Sequence, residues 1–351
     1  MGIPVLRVLG INDTLSSYSV TWSSLALQYF SQTRSICHQK GSPLVTITVL
    51  GSFVIGITVR VPRLPVLGEG LIGDLFDLGP GGKGTNQAVG AARLGGKVNL
   101  IACVGNDLFA PIANELFEDE GISFDHIHRI PDINTAVGMV TVLPSGENSI
   151  VGHLGANLAM RPEHVDKAED LIAQSDVVIS QFEVPLDAME RGMELGQKHG
   201  ALTILNPAPA QVVERKQLAH VDLITPNETE TRILQGLAPD DPTPTAELAQ
   251  RLLDFGVNQI VITRSQRGAL IVTNDGTEEI PAPSIEAVDA TGAGDSFNAS
   301  LAVGLAEGLT LHDSVARANY AGAYCATKFG VIDGLPSRPN LDNFIATFKT
   351  S

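Results

Sequence analysis

The stretch DATGAGDSFNAS, residues 289–300, combines a glycine-rich turn, two acidic residues and the start of an apolar helical pattern. The apolar residues recur at every fourth position, at Phe297, Leu301 and Leu305. This spacing predicts a helix that begins near Gly292 and turns its apolar side toward the core. Backbone amides in the first turn of a helix have no intrahelical acceptor, and the helix dipole attracts negative charge. The amides of Gly292, Ala293 and Gly294, which carry no bulky side chains, are therefore candidates to bind an anion.

Asp295 would lie within about one helical turn of that anion site. A carboxylate beside a site for negative charge repels the anion that binds there. Its presence is therefore expected only if the reaction uses it. Removal of a proton from a hydroxyl group that attacks a phosphoryl group is such chemistry. The alternative is structural: the glycines would allow close packing of helix and strand, and Asp295 would be a favourable acid in the first turn. The stretch alone leaves both interpretations open.

A second glycine-rich stretch, GPGGKGTNQAVGAARLGG, occupies residues 79–96. It does not match a P-loop, because Lys83 is followed by glycine instead of serine or threonine. It also does not match a dinucleotide-binding turn, because no buried first strand precedes it. The amides near Gly82 and Gly84, with the side chains of Lys83 and Asn86, could bind a polyol through directional hydrogen bonds. The alternative is that the glycines only allow the chain to turn and that Lys83 is a solvated surface side chain.

Strands and helices alternate along most of the chain, which predicts an α/β fold with a mostly parallel central sheet and helices on both faces. Strands are expected at residues 44–53, 98–105, 136–144, 176–182, 201–209, 222–228 and 259–264, with a hairpin at 268–282. Short, partly polar pieces at 57–78 and 128–151 are expected to form a small antiparallel lid. Ligands bind beyond the carboxyl ends of parallel strands. The polar segments SQFE, NPAP, TPNETE and TRSQRG follow predicted strands, so they should converge at one edge of the sheet.

The composition excludes several other classes of function. A formal net charge of −16 is unsuited to binding a nucleic-acid backbone. The cysteines, Cys37, Cys103 and Cys325, are far apart, which excludes a disulfide framework or a cysteine-rich zinc site and favours the cytoplasm. No apolar segment reaches the length of a membrane span. We expect a cytoplasmic protein that uses small-molecule substrates and contacts neither nucleic acid nor membrane.

Residues 1–43 differ from the rest because they are rich in serine and contain three basic residues and one acidic residue. We interpret them as a disordered leader, or as the product of an upstream start codon; a transit peptide is the weaker alternative. Residues 44–351 are expected to form a single domain.

Six segments of the chain occur in the order typical of ribokinase-like (PfkB) carbohydrate kinases. They are GGKGTNQA, HLGAN at 153–157, QFE at 181–183, NPAPA at 206–210, TPNETE at 225–230 and DATGAGDSFNAS. The chain resembles this family from about residue 45 to residue 340. The resemblance implies an ATP-dependent sugar kinase with ribose as the expected acceptor. It also implies Mg²⁺, a monovalent cation, expected to be K⁺, and a homodimer formed through the lid strands.

The resemblance also implies a role for individual residues. Asp295 would be the base that deprotonates the sugar hydroxyl, and the anion hole for the γ-phosphoryl group would be formed by Gly292, Ala293 and Gly294. The sugar would be bound by Gly82, Lys83, Gly84, Asn86, Glu183 and Asp289. The nucleotide would be bound by Asn206, Asn227, Thr263, Ser265, Gly268 and Asn319. Mg²⁺ would be held through water by Asn227 and Glu230. The monovalent cation would be held by Asp289 and Thr291, with a looser match in residues 327–334.

The first strand departs from the family pattern. Where the family has Gly-Ser-x-Asn-x-Asp, this chain reads GSFVIG, with Val54 and Gly56 at the positions that bind sugar hydroxyls. Each lost hydrogen bond costs about 1–3 kcal/mol. The acceptor could therefore be another sugar or a nucleoside, and a catalytically weak sugar-binding regulator is a further alternative. The intact GAGD segment favours an enzyme, because a protein that only binds has no use for Asp295.

Overall fold

The computed structural model describes residues 44–145 and 147–349. The predicted leader, residues 1–43, lies outside the described residues. Among the described residues, no helix combines the length and apolar character that crossing a bilayer requires.

The described residues form two β-sheets. In chain order the strands are β1 (Thr46–Leu50), β2 (Val54–Arg60), β3 (Leu75–Gly81), β4 (Lys97–Gly105), β5 (Ser123–Ile130), β6 (Ala136–Val142), β7 (Asn148–His153), β8 (Val177–Gln181), β9 (Leu202–Asn206), β10 (Leu223–Ile224), β11 (Gln259–Thr263), β12 (Ala269–Thr273) and β13 (Gly276–Ile280). The large sheet has nine strands in the order β13-β12-β11-β10-β9-β8-β1-β4-β5. It is parallel from β11 to β5, and β12 and β13 are antiparallel additions at one edge.

Helices cover both faces of the large sheet. They are α1 (Lys83–Arg93), α2 (Ala110–Asp119), α3 (Pro162–Asp166), α4 (Glu169–Ile172), α5 (Leu186–Lys198), α6 (Glu228–Ile233), α7 (Thr245–Asp254), α8 (Ala293–Ala306), α9 (Leu311–Ala326), α10 (Val331–Gly334) and α11 (Arg338–Lys349). Short 3₁₀ helices occupy Gly155–Ala159, Arg215–Leu218 and Ser265–Arg267.

Alternate residues of the central strands enter two separate hydrophobic clusters. Ile47 and Val49 of β1 pack with α1, α8 and α9, whereas Leu50 packs with α5 on the other face. Strands that are buried on both faces in this way are expected in a parallel sheet between helical layers. The predicted fold class is therefore confirmed.

The small sheet has the strand order β3-β2-β6-β7. Its hairpins β2–β3 and β6–β7 are antiparallel, as expected, but β2 and β6 are parallel to each other. The predicted lid segment 128–151 begins too early, because residues 128–130 belong to β5 at the edge of the large sheet. The sequence SFDHIHRI of β5 is polar and only partly buried, so it lacks the apolar run that identifies a central strand.

Candidate active site

Polar residues converge at the carboxyl edge of the large sheet, as the sequence predicts. Gln181 ends β8, Asn206 ends β9 and Thr263 ends β11. Gln181 and Asn206 are almost fully buried. The parallel strands β8, β9, β10 and β11 place these ends side by side, and the first turns of α1 and α8 close the site above them.

The first turn of α8 contains free amides. The helix begins at Ala293, with Gly292 as its N-cap in the left-handed region at φ 81°. The Ala293 amide donates to the Ala290 carbonyl at 3.2 Å. The amides of Gly292, Gly294 and Asp295 have no acceptor among the described residues. In this turn the Ala293 amide is engaged, whereas the amides of Gly292, Gly294 and Asp295 are available; the anion hole at residues 292–294 stays a prediction.

The two glycines of this turn serve different purposes. A Cβ atom added at Gly292 would lie 2.6 Å from Cγ1 of Val331, so there is no room for a side chain. The left-handed backbone of this residue also favours glycine. At Gly294 an added Cβ would have no neighbouring side chain or distant backbone within 4 Å. The missing side chain of Gly294 therefore leaves space that the protein itself does not fill.

Asp295 is buried, with 5% of its surface exposed, and amide side chains hold its carboxylate. Asn86 Nδ2 donates to Oδ2 at 2.8 Å, and Gln87 Nε2 donates to Oδ1 at 3.0 Å. Both donors come from the first turns of α1, which lies against α8. Donors to both oxygens fix the orientation of the carboxylate, so it can accept a proton from a bound hydroxyl in a defined direction.

Gln87 extends this network to the strand ends. Its Nε2 also donates to Asn206 Oδ1 at 3.0 Å, and its Oε1 accepts from Gln181 Nε2 at 2.6 Å. Asn206, predicted to bind nucleotide, therefore lies in the network that positions Asp295. Gln87 and Gln181 are not among the predicted site residues. The signal for Gln87 in the sequence is a glutamine at the start of the apolar stretch QAVGAA, in a helix that must be buried.

A second group of contacts joins the end of β1 to the start of α1. Ser52 Oγ donates to the Glu183 carboxylate, which also accepts from the Lys83 amide at 2.8 Å. The Gly84 amide donates to Ser52 Oγ at 3.2 Å. A Cβ added at Gly84 would lie 2.3 Å from the Ser52 amide nitrogen, so this approach requires glycine. The structure thus brings Lys83, Gly84 and Glu183 together as predicted and adds Ser52.

The charges of these residues influence one another. The negative charge of Asp295, followed by those of Glu183 and Glu230, raises the pKa of Lys83 against the opposing effect of burial. Burial, which outweighs the effects of Ser52 and Lys83, raises the pKa of Glu183. The Lys83 ammonium makes no direct ion pair with another of the described residues. Its charge is therefore available to a bound ligand.

Burial of Glu183 predicts a stability cost near neutral pH. Because its pKa is raised in the folded state, folding favours the protonated carboxyl, and ionisation destabilises the fold. We expect Glu183→Gln to raise Tm near neutral pH. The gain should shrink as the pH falls through the raised pKa and vanish below the usual glutamate pKa of about 4.3. Thermal unfolding at a series of pH values measures this, with Glu118→Gln at the exposed end of α2 as the control. A Tm gain that is independent of pH would contradict the assigned cause.

Asn227 and Glu230 form a capping box at the start of α6. Glu230 N donates to Asn227 Oδ1 at 2.8 Å, and Asn227 N donates to a Glu230 oxygen at 2.7 Å. Burial raises the pKa of Glu230, and the charges of Lys83 and Asp295 also act on this pKa, which places Glu230 within electrostatic reach of Asp295. These two residues therefore have a structural role in addition to the predicted role at Mg²⁺. Among the described residues, no cluster of three or more His, Cys, Asp or Glu could by itself hold a metal.

The predicted nucleotide residues lie along the β11–β12 turn and beside it. Asn227 pairs with Thr263 in a parallel bridge, Ser265 begins a short 3₁₀ helix with a φ of 53°, and Gly268 ends it at 80°. Asn319 Nδ2 donates to the Ile280 carbonyl at 3.0 Å, so it fixes the start of the loop after β13.

Asp289 organises the loop before α8. Its Oδ1 accepts from the Thr291 amide at 2.9 Å and from Thr291 Oγ1 at 2.6 Å. Its Oδ2 accepts only a long contact of 3.4 Å from the Gly330 amide. The 327–334 segment therefore does lie beside Asp289, and one carboxylate oxygen remains available to a cation.

Comparison with known proteins agrees with this geometry. Residues 46–338 match the model of the pfkB family carbohydrate kinases. The chain is 36% identical over 300 residues to a ribokinase of Haemophilus influenzae, covering 86% of this chain and 98% of that protein. It is 33% identical over 301 residues to a deoxyribokinase of Salmonella typhi, with coverage of 86% and 98%. The structure of Arabidopsis thaliana ribokinase complexed with ribose and ATP superimposes with a TM-score of 0.79 at 25% identity, covering 86% of this chain and 99% of that one. The chain therefore belongs to the pfkB family of carbohydrate kinases, which transfer a phosphoryl group to a sugar hydroxyl.

Proposed function

We propose that the protein transfers the γ-phosphoryl group of ATP to a hydroxyl group of a ribose-type sugar, with free D-ribose as the reference acceptor. The observation that carries this proposal is the buried Asp295 carboxylate, oriented by Asn86 and Gln87 beside the free amides of the α8 first turn. Ribokinases and a deoxyribokinase among the relatives support a pentose acceptor.

In the proposed reaction Asp295 accepts the proton of the acceptor hydroxyl as its oxygen attacks the γ-phosphorus. The new O–P bond forms while the bond to the β-phosphate oxygen breaks, and ADP leaves. The amides of Gly292, Gly294 and Asp295 face the charge that spreads over the equatorial oxygens. Glu183 and the Lys83 side chain orient the acceptor. The small sheet serves as a lid that excludes water from the reacting groups.

We propose that the reaction also uses two cations. Asn227 and Glu230 offer the oxygen donors that Mg²⁺ prefers, and together they would hold it through water. Bound Mg²⁺ would neutralise phosphate charge. Asp289 Oδ2, which has only one long contact, and Thr291 would bind a monovalent cation, which we propose to be K⁺. We place the reaction in the cytoplasm, since Cys103 and Cys325 are buried free thiols, which suits a reducing compartment.

The test is a coupled assay of ADP release with D-ribose, Mg²⁺ and K⁺, repeated with K⁺ replaced by Na⁺ and with Mg²⁺ chelated. We expect ribose-dependent ADP release that is lost on chelation and reduced in Na⁺. Ribose binding without turnover of ribose or of any other sugar or nucleoside would instead indicate a regulator, and the proposed reaction would be wrong.

We further propose a homodimer formed through the small sheet. Its outer face exposes large apolar side chains, among which Met139 and Val151 are direct cross-strand partners and Phe76 is 66% exposed. Such a patch typically marks a protein interface. We expect the double variant Met139→Lys, Val151→Lys to be monomeric by light scattering at concentrations where the natural chain is a dimer. Leu108→Lys, at another exposed apolar position, is the control. A natural chain that is already monomeric would refute the proposal.

A further inference from the structure

The face of the small sheet that carries Gly56 is turned toward the candidate active site. Gly56 pairs with Gly79 of β3, and residues that pair directly across two strands point to the same face. Side chains alternate along a strand, so Gly81 also belongs to this face. A Cβ added at Gly81 would lie 3.8 Å from Oδ1 of Asn86, whose amide group holds the Asp295 carboxylate. The face that lacks the expected acidic side chain at Gly56 is therefore the roof of the site.

The middle of this roof has no side chains. Gly79, Gly56, Gly138 and Gly152 are successive partners in the strand register, one on each of β3, β2, β6 and β7. None of them has a left-handed φ, and a Cβ added at any of them would meet its nearest neighbour at 3.5–4.0 Å, an ordinary contact distance. The fold therefore does not require glycine along this row. Glycine inside a sheet often marks the close approach of a ligand.

A carboxylate lies beside the glycine row. Asp77 belongs to the same face as Gly79, two positions away on β3, and is the direct partner of Thr58. Its side chain leans toward the row, since a Cβ added at Gly79 would lie 4.0 Å from Asp77 Oδ2. Gly79 is in turn the partner of Gly56. The Asp77 carboxylate therefore lies one strand away from the position at which the family pattern has an aspartate.

The surroundings of Asp77 leave its carboxylate without a partner of opposite charge. The side chain is exposed, so a small molecule can reach it. Partial loss of its surrounding water, followed by the negative charge of Asp333 on α10, raises the pKa of Asp77, while the Leu78 amide lowers it. A carboxylate beside another acid is unfavourable on its own. Hydrogen-bond donors from a bound molecule would stabilise it.

We propose that Asp77 binds the acceptor sugar in place of the acidic side chain that is missing at Gly56. This inference rests on the proposed function and concerns the hydroxyl groups that do not react. An ionised carboxylate only accepts hydrogen bonds, and its two oxygens match the two adjacent secondary hydroxyls of a ribofuranose ring. Asp77 holds the ring from the lid, while the reacting hydroxyl is directed to Asp295. The lid therefore recognises the sugar in addition to excluding water.

The first test is steady-state kinetics of Asp77→Ala in the assay of ADP release with D-ribose, Mg²⁺ and K⁺. We expect KM for ribose to rise by about tenfold to a hundredfold, the effect of losing hydrogen bonds to a charged group. The value of kcat should change much less, because Asp77 does not touch the reacting atoms. Asp125→Ala, at an exposed aspartate of β5, is the matched control and should leave both constants unchanged. An unchanged KM in Asp77→Ala would overturn the inference.

A rescue variant separates recognition of the sugar from a structural role of Asp77. Gly56→Asp returns a carboxylate to β2, where an added Cβ would have its nearest neighbour, the Gly79 carbonyl, at 3.5 Å. In the Asp77→Ala chain this second substitution should recover most of the lost affinity for ribose. In the natural chain it should not lower KM by a comparable factor, because the hydroxyls already have an acceptor and close carboxylates repel each other. Additive effects of the two substitutions would show that the carboxylates do not serve the same hydroxyls.

A comparison of D-ribose with deoxyribose tests the contact itself. Deoxyribose lacks one of the two secondary hydroxyls, so it has one hydrogen bond fewer to lose. We expect Asp77→Ala to lower kcat/KM less for deoxyribose than for ribose. An effect of equal size on both sugars would contradict the assigned contact.

A competing role for Asp77 is to hold a cation together with Asp333. In that case Asp77→Ala would change the concentration of K⁺ or Mg²⁺ that gives the half-maximal rate and leave KM for ribose unchanged, and the inference would be wrong. Asp295-dependent phosphorylation of ribose would still support the proposed function. If the natural chain phosphorylates no sugar, both proposals fail. Thermal unfolding of each variant shows whether a change in activity reflects a change in the fold.

Discussion

Replacing Asp295 with asparagine is expected to lower kcat by about 10²–10⁴-fold, the usual contribution of a general base. The substitution keeps the size of the side chain, and Asn86 still has an oxygen to which it can donate. Binding of the acceptor should therefore change much less than turnover. Single-turnover kinetics with the acceptor that the natural chain uses best, together with acceptor titration by calorimetry, separates these two effects.

Asp119→Asn at the exposed end of α2 is the matched control for this experiment. It makes the same chemical change far from the site and should leave kcat unchanged. If Asp295→Asn retained most of the natural kcat, Asp295 would not be the base, and the interpretation of the α8 first turn as a reaction site would lose its main support.

The sequence predicts the features that depend on local pattern. The alternation of apolar strands with helices indicates the parallel sheet, and the polar segments after the strands indicate the edge where the site forms. The spacing of Phe297, Leu301 and Leu305 places the start of α8 within one residue, at Ala293. These features depend on residues close in the chain, so the information is present in short windows.

Features that depend on strand register cannot be predicted from short stretches of sequence. Gly79, Gly56, Gly138 and Gly152 are spread over almost a hundred positions and become a row only when four strands are aligned. In the sequence, Gly56 is visible only as the loss of an expected acidic residue. The three-dimensional register makes Gly56 one member of a continuous row of glycines across the small sheet.

The hydrogen-bond network around Asp295 is also a product of tertiary structure. Gln87 and Gln181 are 94 positions apart and contact each other only because α1 lies over the end of β8. Asn206 shares the Gln87 amide with Asp295, so the network links four separate segments, namely α1, β8, β9 and α8. Sequence motifs identify the glycine and acidic residues of the site. They do not identify the amide side chains that hold the Asp295 carboxylate, because asparagine and glutamine are common in many other contexts.

The second large effect is expected at Gly294, where activity and stability should change in opposite directions. Its backbone is helical, and an added Cβ would have no neighbouring side chain or distant backbone within 4 Å. Gly294→Ala should therefore stabilise the fold by about 0.5–1 kcal/mol, because alanine is the better helix former. The methyl group would enter the space beside the free amides of α8, where we propose that the phosphoryl group binds. We expect kcat/KM to fall by about 10²-fold or more, as when a donor to a developing charge is lost.

The neighbouring glycine provides the matched comparison. Gly292→Ala forces a Cβ to within 2.6 Å of Val331 Cγ1 and strains a left-handed backbone, so it should lower both Tm and activity. Thermal unfolding and steady-state kinetics of the two variants measure the contrast. A Gly294→Ala variant that keeps the natural kcat/KM would place the transferring phosphoryl group elsewhere. Higher stability with lost activity would show instead that Gly294 is kept as glycine for the ligand, at the expense of the helix.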